Sequence, residues 1–261
     1  MKRRKIFTFM GALVVMATAT LSVQAAVNIV ACEPEWAALT RVVTGNQVNV
    51  ISMTKAGDDP HHIQARPSLI ANLKQADMVF CSGAGLEENW LPKLLNKADN
   101  KKLSEGKTGY FMAANSIRLL ESVKHEDEDL HAKGNPHLHM NPHNISAIAN
   151  ELTNRLKKLD SANASIYTGN AKSFISRWNR AIVDWETKAV PLKGVAIVVN
   201  HENWAYLSDW LGLREIYALE SKPGVPPSTA YLNGVLTRIK SLPTRFIISA
   251  AHQDLKPARW F

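Results

Sequence analysis

Nine histidines occur in 261 residues, and five of them, His125, His131, His137, His139 and His143, fall in one short stretch with Glu126, Asp127, Glu128 and Asp129. Neutral imidazole is the commonest protein ligand for a borderline ion such as Zn²⁺, and grouped carboxylates raise the local cation concentration. A divalent-metal site is the chemistry these residue types point to. Three histidine-bearing segments carry that reading: Gly57-Asp-Asp-Pro-His-His62, Asn135-Pro-His-Leu-His139 and Val198-Val-Asn-His-Glu202. Three or four imidazole or carboxylate donors satisfy Zn²⁺. One histidine alone is more often a surface or hydrogen-bonded residue, so the argument rests on the three segments converging.

The elements that would bring them together follow from apolar periodicity. Residues 27–32 form a short apolar run, and 35–43 carry Trp36, Leu39 and Val43 at helical spacing before Gly45. Residues 47–53 alternate like a strand, Ser68 opens a helix with Leu69, Leu73 and Ala76, and 77–81 form another strand. A glycine turn at 82–85, a helix over 86–97 and a short strand over 108–113 complete this half. Such alternation predicts an α/β protein with a parallel sheet and helices on both faces. Ligands of such sheets bind at the C-terminal ends of the strands, where the histidine segments fall.

From Ile145 the period becomes helical and stays so, with a break near 160–163. The piece from Ala164 onward, read as one helix, would span roughly 35–40 Å at 1.5 Å per residue. That is long for a packed crossover and suggests a single backbone helix joining two lobes. A second α/β run follows, with strands at 195–200, 213–217 and 245–250 and helices at 203–211 and 228–241. The spans expected are a signal peptide (1–25), an N-terminal lobe (26–160), the linking helix (161–188) and a C-terminal lobe (189–261). Trp36, Trp90, Trp178, Trp185, Trp204 and Trp210 fall on apolar helical faces and are expected in the core.

The formal charge of +8 invites a nucleic-acid reading, but Lys2, Arg3, Arg4 and Lys5 supply half of it and no acid precedes Glu33. Residues 6–23 are almost wholly apolar, and Val23-Gln24-Ala25 offers a small-residue cleavage site, the pattern of a secretory signal peptide. The expectation is an exported protein with no nucleic-acid partner. Export permits Cys32 and Cys81 to oxidise. Each closes an apolar run, so a disulfide between neighbouring strands and a pair of buried thiols both fit.

The segments 59–68, 76–91, 135–142 and 200–213 resemble, in this order, those of the zinc/manganese ABC-transporter substrate-binding proteins. The resemblance runs from about Val27 to the end. It implies two α/β lobes joined by one rigid helix, acting as a monomer in the periplasm. The cleft metal, Zn²⁺ or possibly Mn²⁺, would be handed to an ABC permease of the inner membrane. By motif position His61, His137 and His201 would be the ligands, and histidine at the third place resembles the zinc carriers. His139 stands where the family usually has an aromatic residue and is an alternative ligand or a packing substitute. Family members continue for a few dozen residues past Phe261, so the C-terminal lobe is expected to be truncated, with His252 and Asp254 near the family's last cleft loop. The acidic run around His125 and His131 matches the place of the His-rich loop of zinc-type members, either an accessory loop for gathering metal or a solvated loop with incidental histidines. Glu35 and Glu202 are candidates for orienting an imidazole.

Two other functions compete. Residues 137–143 superficially resemble the H-x-H-x-D-H signature of metal-dependent hydrolases, through His137, His139 and His143. A catalytic metal needs an open coordination position and a general base, yet Asn141 stands at the aspartate position and a helix follows Pro142. The same binding site would also serve a periplasmic metal buffer or adhesin.

Overall fold

Alternate residues of the first strand face two different cores. In β1 (Val27–Ala31) Ile29 and Ala31 join one apolar cluster, and Val30, with Cys32 just beyond the strand, joins another. A strand buried on both faces must read as a continuous apolar run, as this one does. The computed structural model describes residues 26–120, 134–220, 225–240, 242 and 244–261. Around β1 lie β2 (Val48–Ser52), β3 (Met78–Cys81) and β4 (Tyr110–Met112), all parallel, in the order β2-β1-β3-β4. One face is covered by α1 (Pro34–Thr44) and α4 (Pro142–Leu159), through Trp36, Leu39, Ile145, Ile148 and Leu152. The other is covered by α2 (Pro67–Gln75) and α3 (Leu91–Ala98), through Leu69, Leu73, Leu91 and Leu94.

One helix then leaves this lobe. α5 (Ala164–Ala189) has 26 residues, about 39 Å at 1.5 Å per residue, and packs along α1 and α4. The second sheet is smaller: β5 (Ala196–Val199), β6 (Arg214–Ala218) and β7 (Phe246–Ile248), parallel in the order β6-β5-β7. With α7 (Thr229–Ile239) and α8 (Lys256–Trp260) it encloses a core of Val198, Leu219, Leu232 and Val235, while α6 (Ala205–Leu211) packs beside β6 and places Tyr206 in the first lobe's cluster. Two parallel-sheet lobes and one long joining helix are the architecture the periodicity predicts.

Three local expectations change. The helix expected from residue 86 starts at Leu91, because Gly83, Ala84 and Gly85 all take positive φ (77°, 53° and 94°) and the chain turns tightly first. In that turn the Glu87 carboxylate accepts the N–H groups of Ser82 (2.8 Å) and Gly83 (3.0 Å), an arrangement a regular helix would forbid. Trp185 is 37 % exposed and not in the core: α5 turns only a narrow stripe, Tyr167, Ala171 and Ile182, fully inward. The cysteine alternatives resolve to a disulfide between Cys32, just past β1, and Cys81, the last residue of the neighbouring β3.

Candidate metal centre

Two of the three histidine segments follow the C-terminal ends of parallel strands, β2 and β5, the third leads into α4, and each is held by its own hydrogen bonds. The segment after β2 carries His61. The Trp90 indole N–H donates to the Pro60 carbonyl (2.9 Å), and Asp59 Oδ1 accepts the His61 backbone N–H (3.0 Å). Asp59 Oδ2 lies 3.1 Å from His62 Nδ1, which occupies that neighbouring ring and leaves His61 to the cleft. Burial opposes ionisation of Asp59, yet the His61 N–H and the His62 ring outweigh it and hold the carboxyl below its ordinary range.

His137 depends on a glycine. Gly134 has φ 102°, and a Cβ there would sit 2.9 Å from the Leu119 Cβ, so both backbone and space demand glycine. Asn135, 3 % exposed, then accepts the His137 N–H on Oδ1 (3.0 Å) and fixes the approach of the ring. The same Asn135 reaches the second lobe: its Nδ2 donates to the Glu202 carbonyl (3.1 Å), and its own carbonyl accepts the Tyr206 hydroxyl (3.2 Å). His201 follows β5, where the Asn200 N–H donates to the Ile248 carbonyl of β7 (2.8 Å). Its Nδ1 lies 3.2 Å from Glu220 Oε2.

These three imidazoles meet. Their donor nitrogens all lie within 4.8 Å of one another, and the ring centroids are 5.4 Å (His61–His137), 5.7 Å (His61–His201) and 6.0 Å (His137–His201) apart. A tetrahedral Zn²⁺ with nitrogen ligands at about 2.0–2.1 Å needs nitrogens about 3.3 Å apart, a spacing that small side-chain rotations reach. His137 and His201 are 4 % and 7 % exposed, and His201 Nε2 is buried without a hydrogen bond. Such an orphan costs free energy unless a ligand meets it. Glu220 beside Nδ1 favours the tautomer that carries its proton there, which leaves the Nε2 lone pair for a cation. The donor set suits a borderline ion.

The remaining candidates separate. His139 stands beside the triad: its ring is edge-on to Trp36 (6.3 Å), and its Nδ1 is 3.3 Å from Glu35 Oε1. His143 points to the long helix, with Nε2 2.7 Å from Glu186 Oε1, so the cluster a hydrolase would need is not assembled. His252 lines the same cavity of about 350 Å³ as Glu33, His61, His137, His139 and His201. Asp254 Oδ1 accepts the Lys256 N–H (2.9 Å) at the start of α8. His125 and His131, like residues 1–25, lie outside the described residues.

Glu220, Asn135, Glu33 and Glu87 escaped sequence reasoning. Burial, then the charges of Glu87 and Glu35, push the Glu33 carboxyl well above the usual carboxylate range, so it keeps a proton and donates it to Glu87. Burial likewise lifts Glu87 to about 7, against the pull of the Gly83 and Ser82 N–H groups. Two acids under the cleft thus share a proton. The only available signal was that Glu33 follows a buried strand and Glu87 a glycine turn.

Residues 29–261 match the family model described as ZnuA, zinc-uptake complex component A, periplasmic. The metal ABC transporter substrate-binding lipoprotein ScbA of Streptococcus cristatus is 25 % identical over 233 residues, which cover 85 % of this chain and 72 % of that one. The manganese ABC transporter substrate-binding lipoprotein PsaA of Streptococcus pneumoniae is 24 % identical over 227 residues, covering 82 % and 69 %. Among solved structures, a crystal structure of ZnuA superposes with a TM-score of 0.76 at 23 % identity, covering 90 % of this chain and 86 % of that one. A Mn-bound periplasmic metal-binding protein from Candidatus Liberibacter asiaticus gives 0.73 at 21 % identity, covering 89 % and 82 %. These likenesses show the two-lobed fold, and the match over residues 29–261 places the chain in the zinc-uptake complex component A family.

Proposed function

We propose that this protein is an exported, monomeric solute-binding protein that captures Zn²⁺ between its lobes at His61, His137 and His201 and delivers it to an inner-membrane ABC permease. The observation that carries the reading is the convergence of three imidazole nitrogens within 4.8 Å, two of the rings buried, at the strand ends of both lobes. Three neutral donors suit zinc, whereas manganese favours oxygen ligands. A water or a further side chain would complete the tetrahedron. The role is binding and transfer, with no chemistry on a substrate. Residues 1–25 serve as the export signal. The relatives' names include lipoproteins; the burial of Cys32 and its bond to Cys81 support export without a lipid on that residue.

Calorimetric titration of the full chain with Zn²⁺ and with Mn²⁺ tests this. One tight Zn²⁺ site is expected, and His61→Ala, His137→Ala and His201→Ala should each weaken it by about two orders of magnitude or more, since each removes a third of the protein donors. Mn²⁺ bound more tightly than Zn²⁺ would refute the zinc assignment, and unchanged affinity in any one variant would strike that residue from the site. A deletion strain should grow poorly under chelation and recover with added zinc; recovery with manganese alone would point to the other cargo.

A further inference from the structure

The cavity beside the triad is larger than an ion needs. Its volume is about 350 Å³, within the roughly 300–1,000 Å³ of small-molecule sites, whereas one water takes about 30 Å³ in the liquid. The three imidazoles form only part of its wall. The turn between His201 and α6 adds two polar atoms, Trp204 Nε1 and Asn203 Oδ1, both buried without a hydrogen bond. A buried indole N–H normally finds an acceptor, and a buried amide oxygen a donor. The carboxylates that line the cavity do not serve the indole, because each has another partner. Glu33 accepts the Ser82 hydroxyl (3.3 Å) and pairs with Glu87, Glu35 Oε1 lies 3.3 Å from His139 Nδ1, and Asp58 Oδ2 accepts the Lys55 backbone N–H (2.9 Å). Lys55 is the only lysine or arginine among the described lining residues. Zn²⁺ on three neutral rings would therefore bring two positive charges into a space already bordered by a lysine and an unmet N–H, and an uncompensated buried charge is costly.

We propose that the cleft takes Zn²⁺ as its complex with a small α-amino acid, whose carboxylate and amine complete the coordination that three histidines leave open. The carboxylate supplies the acceptor for the Trp204 indole and the negative charge beside Lys55, and an amine N–H supplies the donor for Asn203 Oδ1. Zn²⁺ accommodates such a ligand because it takes nitrogen and oxygen donors together and can expand from four ligands to five. The proposal rests on the reading of the triad as the zinc site and adds the chemical form in which the ion is carried. Chelator and protein then share the ion instead of competing for it.

Calorimetric titration of the full chain with Zn²⁺, run with and without glycine as the probe, tests this. Free glycine binds Zn²⁺, so a protein that takes only the bare ion loses apparent affinity in proportion to the zinc that glycine sequesters. A protein that takes the complex stays about tenfold or more above that line, the effect of one hydrogen bond to a charged group. Native mass spectrometry should show the chain with one zinc and one glycine. Trp204→Phe, which keeps an aromatic ring and removes the N–H, should fall back to the sequestration line, with its own titration in Zn²⁺ alone as the reference, and Asn203→Ala should lose part of the gain. Acetate, which has the carboxylate but no amine, should give a smaller gain than glycine. An apparent affinity that only follows sequestration in the parent overturns the proposal, and so does a gain that neither variant reduces. A gain as large with acetate overturns the amino-acid assignment. If His137→Ala binds Zn²⁺ alone as the parent does, the reading of the triad fails instead, and the glycine gain and its loss in Trp204→Phe still decide the cavity.

Discussion

The orientation of His201 is set by one carboxylate. Glu220 Oε2 stands 3.2 Å from Nδ1, and the same residue's Oε1 reaches the Asn200 amide, so one side chain positions the His201 ring and its neighbour together. Outer-shell partners of this kind typically contribute 10- to 100-fold in metal affinity. Glu220→Gln should therefore weaken Zn²⁺ binding by about that factor in a competition assay with a chromophoric chelator, while the circular dichroism of the metal-free protein stays unchanged. Wild-type affinity in the variant would show that packing alone orients the ring. The triad was legible in the sequence because each histidine sits in a short segment with turn residues that follows a strand or opens a helix. Glu220 was not, because it follows a different strand, β6, and only the pairing of β6 with β5 brings it to the same end of the sheet. His143 illustrates the opposite failure: its spacing from His137 fits a ligand, yet the start of α4 turns it toward Glu186.

At the scale of elements, the N-terminal sheet carries the site from below. Cys32 and Cys81 tie the ends of β1 and β3 together, directly next to the turn in which Ser82 receives the Trp36 indole N–H (2.9 Å). The bridge closes a loop of 49 residues, for which chain-entropy reasoning gives about 4 kcal/mol of stabilisation. Replacing both cysteines by alanine should lower the unfolding free energy by about 2–5 kcal/mol in denaturant titrations under non-reducing conditions. The same melt run with reductant on the wild type should reproduce the loss. A double variant as stable as the parent would mean that the two-sided apolar packing around Val30 and Val79 suffices without the bond. Strand positions and burial were legible here, since fully buried strands leave unbroken apolar runs, whereas the order β2-β1-β3-β4 was not. The start of α3 was not: seven residues of compact turn with a buried carboxylate at its centre share the composition of a first helical turn, and only the φ values distinguish them.

The whole molecule has two lobes of unequal size, and the metal would bridge them. Apart from α5, the described contacts between lobes gather at Asn135. Its side chain donates to the Glu202 carbonyl, its carbonyl accepts the Tyr206 hydroxyl, and that hydroxyl accepts the Leu120 N–H (3.0 Å). Tyr206 is 2 % exposed, so these bonds are shielded from water. Domains that share a modest polar interface move relative to one another by default; this cluster limits that motion and holds His201 opposite His137 before the ion arrives. A ligand that binds only the folded state stabilises it by about 4 kcal/mol at a thousand times its Kd, so saturating Zn²⁺ should raise the wild-type melting temperature by several degrees. Tyr206→Phe leaves the Leu120 N–H and the Asn135 carbonyl short of a partner, which costs about 1–3 kcal/mol, and the metal-free protein should melt lower. Its Zn²⁺ affinity should fall about tenfold, because the ion must then order the lobes that the hydroxyl had ordered. Thermal melts with and without Zn²⁺, paired with calorimetry, separate the two effects. A lower melting temperature with an unchanged Kd would show that the long helix alone presets the cleft and that the hydroxyl is merely structural.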